Sequence, residues 1–187
     1  MSNQNNSRNY AIGLTVLSAL GRLVPHAPNV TPLGGSCLFA GSRIAGPLAY
    51  ALPLVVMLAT DPIVGAAAGG HSGYTSTSPV IYASFLISVW IGRRVVSNVT
   101  GMRVGLAAFL CSLQFFLLTN FAMWFSASRS AVPFYTPNFA GLVSCYAAAL
   151  PFWGRTLAGD LFFSAALFGM YAWLSQRVAT AENRVAV

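Results

Sequence analysis

The sequence predicts an all-α membrane protein, and three observations carry that prediction. Charged residues make up 7% of the 187 residues, whereas a soluble domain has about 25%. Hydrophobic residues make up 56%, and the mean hydropathy is +0.67. The apolar stretches, such as 106–118, lack the period-two alternation of membrane β-strands. Helices, which satisfy their own backbone in lipid, are therefore expected.

Seven apolar segments predict the helices in chain order. They cover 10–24, 33–45, 47–60, 80–97, 102–125, 139–152 and 157–176. A helix needs about 20 residues to cross the hydrocarbon core. Because segment 139–152 is short and ends at Pro151, we expect a re-entrant or interfacial helix on the outer side there. The chain at 1–187 is then a single transmembrane domain of six spans, with polar cytoplasmic ends at 1–9 and 177–187.

The distribution of arginine predicts the orientation of these spans. All ten basic residues are arginines, and they lie between the apolar segments without forming a basic patch, so nucleic acid is not an expected partner. Six spans place seven arginines in the cytoplasm and three outside, whereas seven spans place six in the cytoplasm and four outside. The positive-inside rule favours six spans with both termini in the cytoplasm. Segments 25–32, 61–79 and 126–155 then lie on the outer face, which predicts an outward binding mouth.

Acidic residues are scarce, and a carboxylate near lipid is costly enough to suggest a function. The three acids are Asp61, Asp160 and Glu182, the last in the polar tail. Asp61 follows the third apolar segment and is either a solvated helix-end carboxylate or an acceptor for a polar ligand. Arg155 and Asp160 flank the start of the predicted last helix. They either pair to fix the loop, or Arg155 binds an anionic or amide-bearing ligand through its planar donors.

Histidines and aromatic residues add candidates on the predicted outer face. His26 and His71 are either surface residues or ligand contacts, and a haem site would require them to be opposed and rigid. The aromatic residues form either an interfacial belt or a pocket that stacks on a flat ligand. They are Tyr74, Tyr82, Phe134, Tyr135, Phe152 and Trp153.

No motif of a known catalytic type is present in the sequence, so we do not expect an enzyme. Three cysteines, Cys37, Cys111 and Cys145, lie in separate apolar segments and are expected to be buried free thiols. In the first helix, Ala11, Thr15 and Ala19 fall at intervals of four residues. Such a small-residue face allows close helix packing.

Four strings carry a resemblance to a known family. They are GRLVPHAPNVTPLGGSCLFAG, the Asp61-Pro62 pair, LTNFAMW and LVSCYAAALPFWGRTLAGDLFFSAALFG. They resemble an uncharacterised family of bacterial membrane proteins similar to the S-components of energy-coupling-factor vitamin transporters, nearest to the solitary cobalamin S-components. The resemblance implies six helices in the inner membrane, no intrinsic cofactor, and cobalamin or a related corrinoid as the transported ligand. It also implies a vitamin pocket formed by outer loops and the later helices.

The resemblance further implies roles for individual residues. His26, Asp61, Tyr82 and Arg155 would line the pocket, and the face at Ala11, Thr15 and Ala19 would meet an energising ATPase module. The cobalamin relatives bind cobalt through a cysteine in the loop after the third helix, and residues 61–79 contain none. Either His71 supplies the cobalt ligand or the ligand is a different one. A structural or assembly subunit of a larger membrane complex is the alternative function.

Overall fold

A computed structural model describes residues 2–24, 27, 29–67, 69 and 72–185, with the side chains of 2–5, 178, 179 and 181–185 outside that description. The described chain forms six α-helices and a 3-10 turn at Gly21–Leu23 and contains no strand, which confirms the all-α prediction. The helices are α1 Ser2–Leu20, α2 Leu33–Arg43, α3 Leu48–Ala67, α4 Ser78–Val95, α5 Gly101–Ala127 and α6 Phe139–Val185.

Three helices are long and apolar enough to cross a membrane, by length and composition alone. They are α3, α5 and the Phe139–Arg177 part of α6. This agrees with the prediction of a membrane protein with transmembrane helices, whereas the number of six spans stays a prediction.

The continuity of α6 corrects the prediction of a separate outer helix at 139–152. That segment is the first part of α6, which runs on through Pro151. Proline removes one backbone hydrogen bond from a helix, and packing against α5 supports the helix on both sides of this break. The Tyr146 hydroxyl donates to the Leu117 carbonyl at 2.6 Å, and the Trp153 ring stacks on Phe116 with centroids 5.1 Å apart. At 1.5 Å per residue, α6 is roughly 70 Å long, about twice the hydrocarbon thickness of a bilayer.

Both predicted polar ends also belong to helices. α1 begins at Ser2, inside the segment expected as a polar N-terminus, and α6 continues through the predicted tail to Val185. The small-residue face of α1 is fully buried at Ala11, Thr15 and Ala19. It lies inside the protein because α1 packs on α2, α3 and α6. The expectation that this face meets an energising module is therefore wrong.

Helix α2 lies at the centre of the fold. Nine of its residues, from Leu33 to Gly41, are buried, and all five other helices pack around it. Its crossing with α4 depends on two glycines, since a Cβ at Gly41 would overlap the Val89 carbonyl and one at Gly92 would overlap the Leu38 carbonyl. With eleven residues, α2 spans only about 16 Å and cannot cross a bilayer core of about 30 Å alone.

Hydrogen bonds and an ion pair mark two ends of the bundle. At the first end, the turns after α2 and α4 lie together, because the Ser42 hydroxyl donates to the Val96 carbonyl at 3.0 Å and Arg93 donates to the Gly46 carbonyl at 2.8 Å. At the second end, Arg22 pairs with Asp61 at 2.7 Å, which joins the region after α1 to α3. The first is called the Arg93 end and the second is called the Arg22 end.

Candidate ligand-binding site

Two adjoining cavities lie between the loop at 29–31 and helices α4, α5 and α6. Their volumes are about 220 and 110 Å³, and they share Asn29, Phe115 and Thr156 as lining residues. We call them together the paired cavity. Its aromatic walls come from three helices and comprise Phe85, Phe115, Phe116, Phe152 and Trp153.

Asp160 supplies the paired cavity with a carboxylate. The residue is only 5% exposed and lines the smaller cavity. Its side chain lies against the first turn of α2, where a Cβ at Gly34 would overlap the Oδ1 atom. Among the described residues, no hydrogen-bond donor or cation pairs with this carboxylate. The N-terminal end of a helix favours a nearby negative charge, but the burial of Asp160 opposes the charged form unless a bound partner compensates it.

Three polar side chains of the larger cavity each use one donor within their own helix. The hydroxyls of Thr119 and Thr156 each donate to the carbonyl four residues earlier, at 2.7 and 3.2 Å. The Asn120 amide nitrogen likewise donates to a carbonyl of its own helix, at 2.8 Å. Each hydroxyl oxygen keeps free lone pairs, and the amide oxygen of Asn120 accepts no hydrogen bond from a described residue. This part of the lining therefore presents acceptors.

The indole of Trp153, the hydroxyl of Thr31 and the turn at Asn29 complete the lining, and each of the three side chains carries a donor. The Trp153 indole nitrogen is buried and has no hydrogen-bond partner in the part of the chain that the structure describes. Asn29 has a φ of 64°, a left-handed conformation that asparagine tolerates better than most residues. The adjacent Val30 amide donates to the Ala27 carbonyl at 3.0 Å. This turn places Asn29 over both cavities.

A second polar group, here called the helix-end cluster, consists of Arg22, Asp61 and Tyr82. Asp61 Oδ1 pairs with Arg22 Nη1 at 2.7 Å, and the Tyr82 hydroxyl donates to Oδ2. The arginine also donates to Thr60 Oγ1 at 3.3 Å. The Arg22 and Asp61 side chains are 15% and 10% exposed, and none of the cluster residues lines the paired cavity. The cluster joins the end of α1 to α3 and α4.

A family model described as "Family of unknown function (DUF6580)" matches residues 2–182. The chain belongs to this family. No curated protein and no solved structure matches the chain. The resemblance of this DUF6580 protein to vitamin S-components therefore stays a prediction.

The structure of the DUF6580 protein separates the predicted site residues. Asp61 and Tyr82 are in direct contact, but within the helix-end cluster. Asp160 lies well inside α6 and is buried, instead of lying at an outer helix start. Arg155 lies in the same helix, not in an outer loop, and its exposed side chain neither lines the paired cavity nor pairs with Asp160. The predicted loop-fixing pair is therefore wrong.

The histidine predictions lie outside the described residues. This applies to His26 and His71, and with them to the suggested cobalt ligand. In the part of the chain that is described, no three His, Cys, Asp or Glu side chains lie close enough together to hold a metal ion. The cysteines are free and buried, as expected: Cys37, Cys111 and Cys145.

The predicted aromatic set does not form one pocket, and Tyr82 belongs to the helix-end cluster. Phe152 and Trp153 line the paired cavity, as the pocket interpretation requires. The exposed Tyr74 donates through its hydroxyl to the Leu58 carbonyl at 2.9 Å. Phe134 and Tyr135 form an edge-to-face pair with centroids 5.0 Å apart, in the connection between α5 and α6.

Sequence reasoning missed most of the polar cavity lining. Four lining residues were not predicted as site residues, and these are Asn29, Thr119, Asn120 and Thr156. Arg22 was used only to predict the topology. One signal was available, because Thr119 and Asn120 interrupt the longest apolar segment. Polar residues within such a segment are costly in lipid and commonly mark a site.

Proposed function

We propose that this DUF6580 protein is a substrate-binding membrane protein that captures a small, vitamin-sized ligand in the paired cavity for uptake. The observation that supports this most is the convergence of a buried carboxylate at Asp160 with acceptors at Thr119, Asn120 and Thr156 within aromatic walls. Ligand sites are typically apolar concavities with a few placed polar groups.

The size of the paired cavity favours a ligand of one or two rings. Volumes of 220 and 110 Å³ together lie near the lower end of the range of about 300–1,000 Å³ found for small-molecule sites. A corrinoid, with its macrocycle and nucleotide loop, would need the turn at Asn29 and α6 to move apart. A smaller vitamin-like molecule therefore fits the proposal better than the corrinoid that the resemblance implies.

The proposed orientation places the protein in the inner membrane with six spans and both termini in the cytoplasm. The short α2 would make its crossing inside the bundle of the other helices, not through lipid. The Arg93 end would face the cytoplasm, because Arg43, Arg93, Arg94 and Arg103 gather at or near its two short turns. The Arg22 end would face outward. Access from outside would then pass the turn at Asn29, which lines both cavities.

Energy coupling would require a partner, because the sequence has no phosphate-binding loop of the P-loop type. With the small-residue face of α1 buried, an ATPase module would have to dock on another surface.

The test begins with a ligand that co-purifies with the protein. The protein is isolated in lipid nanodiscs, denatured, and the released small molecules are identified by mass spectrometry. Ala149 lines the larger cavity, so Ala149→Phe should fill it and lower the amount of bound molecule at least tenfold. Ala148→Phe is the matched control, because Ala148 is exposed on the same helix.

Two outcomes would count against the proposal. One is a protein that releases no small molecule and gains no thermal stability from any member of a vitamin panel. The other is a bound molecule whose amount is the same in both phenylalanine variants. A stable larger complex in mild detergent, together with an empty cavity, would instead favour the assembly-subunit alternative.

A further inference from the structure

We infer that the ligand of the paired cavity is a small aromatic cation, because the buried carboxylate of Asp160 meets a lining of hydrogen-bond acceptors and aromatic rings. The inference rests on the proposed function, since it names the chemical class of the molecule bound at the same site. It concerns the charge and the hydrogen-bonding pattern of that molecule.

The hydrogen bonds within the helices set the polarity of the site. Thr119, Thr156 and Asn120 each direct a donor into the backbone of their own helix. The two threonines can therefore offer a ligand only oxygen lone pairs, whereas the Asn120 amide offers its oxygen and one further N–H. Ser88 at the smaller cavity follows the same pattern, because its hydroxyl donates to the Ser84 carbonyl at 3.1 Å. A ligand that brings N–H groups would satisfy these oxygens, whereas one rich in carbonyl or carboxylate oxygens would leave them unpaired.

Asp160 adds charge to this pattern. A buried carboxylate is unfavourable unless a cation or several donors compensate it, and the described residues supply neither. The other buried aspartate of the chain is different, since Asp61 has both Arg22 and Tyr82 as partners. Of these two carboxylates, Asp160 is the one without a counter-charge among the described residues, and it is the one that lines the cavity.

The aromatic walls also favour a flat, positively charged ligand. Ring faces attract cations and stack on flat molecules. Phe116 and Trp153 are already stacked on each other at the larger cavity, which holds these two rings in fixed relative positions. The lining also holds donors, which are Trp153 Nε1, the Asn29 amide and the Thr31 hydroxyl. These can satisfy acceptors of the ligand, so the preference for a cation rests on the Asp160 carboxylate and the ring faces.

The test compares three probes of the same size and shape on the full-length protein in nanodiscs. Tryptamine is a cation at neutral pH, tryptophol is its neutral analogue, and indole-3-propionate is the anion. Binding is measured by isothermal titration calorimetry and by the shift in unfolding temperature. We expect tryptamine to bind at least tenfold more tightly than tryptophol, and indole-3-propionate to bind most weakly.

Two isosteric variants assign the preference to one carboxylate. Asp160→Asn should weaken tryptamine binding by roughly 30-fold or more, the loss typical when one partner of a buried charge pair is removed. The same variant should leave tryptophol binding within about threefold. Asp61→Asn is the matched control, since Asp61 does not line the cavity. Measured well below the lowered unfolding temperature of this variant, its tryptamine affinity should equal that of the unmodified protein. If Asp160→Asn fails to fold, Thr156→Val tests the acceptor pattern instead and should weaken tryptamine more than tryptophol.

The outcomes separate this inference from the proposed function. Tighter binding of tryptophol or indole-3-propionate that Ala149→Phe abolishes would overturn the cation inference and leave the proposed ligand site standing. Equal tryptamine affinity in Asp160→Asn and the unmodified protein would also overturn it, as would the binding of none of the three probes at millimolar concentration. The proposed function itself is decided separately by the co-purified molecule.

Discussion

Neutralising Asp61 tests whether the helix-end cluster holds three helices together. Asp61→Asn leaves the guanidinium of Arg22, which is 15% exposed, without its counter-charge. Breaking a buried ion pair by removing one partner costs about 3–5 kcal/mol. Because 10–15% of each side chain stays exposed, we expect the lower end, about 3 kcal/mol of the free energy of unfolding.

Tyr82→Phe gives a smaller, independent estimate. It keeps the ion pair and removes one hydrogen bond to a charged acceptor, which is worth about 1.5–3 kcal/mol. The assay is reversible unfolding in mixed micelles, titrated with a denaturing detergent. A double-mutant cycle of Arg22→Gln and Asp61→Asn should give a coupling energy of about 1.5 kcal/mol or more.

An exposed arginine provides the control for this cycle. Arg129 lies on the surface with its guanidinium 3.7 Å from the centroid of the Phe125 ring. Arg129→Gln should change the free energy of unfolding by less than about 0.5 kcal/mol. The changes in the free energy of unfolding caused by Arg22→Gln and Asp61→Asn could instead add up within about 0.5 kcal/mol. The cluster would then not couple α1 to α3, which would refute the reasoning.

Two further predictions concern the packing at the centre of the fold. Gly41→Ala should destabilise the protein by about 2 kcal/mol or more, since its Cβ would overlap the Val89 carbonyl. Gly105→Ala, with no atom within 4 Å of the added Cβ, should be neutral or stabilising in the same detergent titration. The native cysteines should resist maleimide labelling in nanodiscs and react fully once the protein is denatured, and fast labelling of the folded protein would contradict their burial. They are Cys37, Cys111 and Cys145.

The sequence predicted the position of a helix well where one apolar segment corresponds to one helix. The apolar segment at 102–125 corresponds to α5 at Gly101–Ala127, and the segment at 80–97 to α4 at Ser78–Val95. The error at Pro151 has a physical cause. Proline favours a helix end in local terms, but the packing of α6 on α5 outweighs one lost hydrogen bond. That packing partner is distant in sequence, so the segment alone cannot reveal it.

The site was predicted less well, because its composition depends on the same distant packing. The scarcity of acids identified Asp61 and Asp160 as unusual. Asp61 has Arg22 as its partner, and Asp160 lies against Gly34 of α2. Neither neighbour is close in sequence to its aspartate. A separate last helix would place Asp160 near the membrane surface, and the continuous α6 places it inside the protein. The burial of Asp160 could therefore not be read from the charge pattern.

The central position of α2 imposes an order on the biogenesis of the protein. The ribosome produces residues 33–43 before α4 and α6, yet these are the two helices that pack most extensively on them. The Phe39 ring packs against Tyr171, with centroids 5.6 Å apart, and that tyrosine is synthesised much later than Phe39. Because α2 is too short to span lipid by itself, we expect its enclosure to be complete only after α6 has been made. A chain that stops before α6 should therefore leave one side of the bundle core open to lipid or to the membrane quality-control proteases.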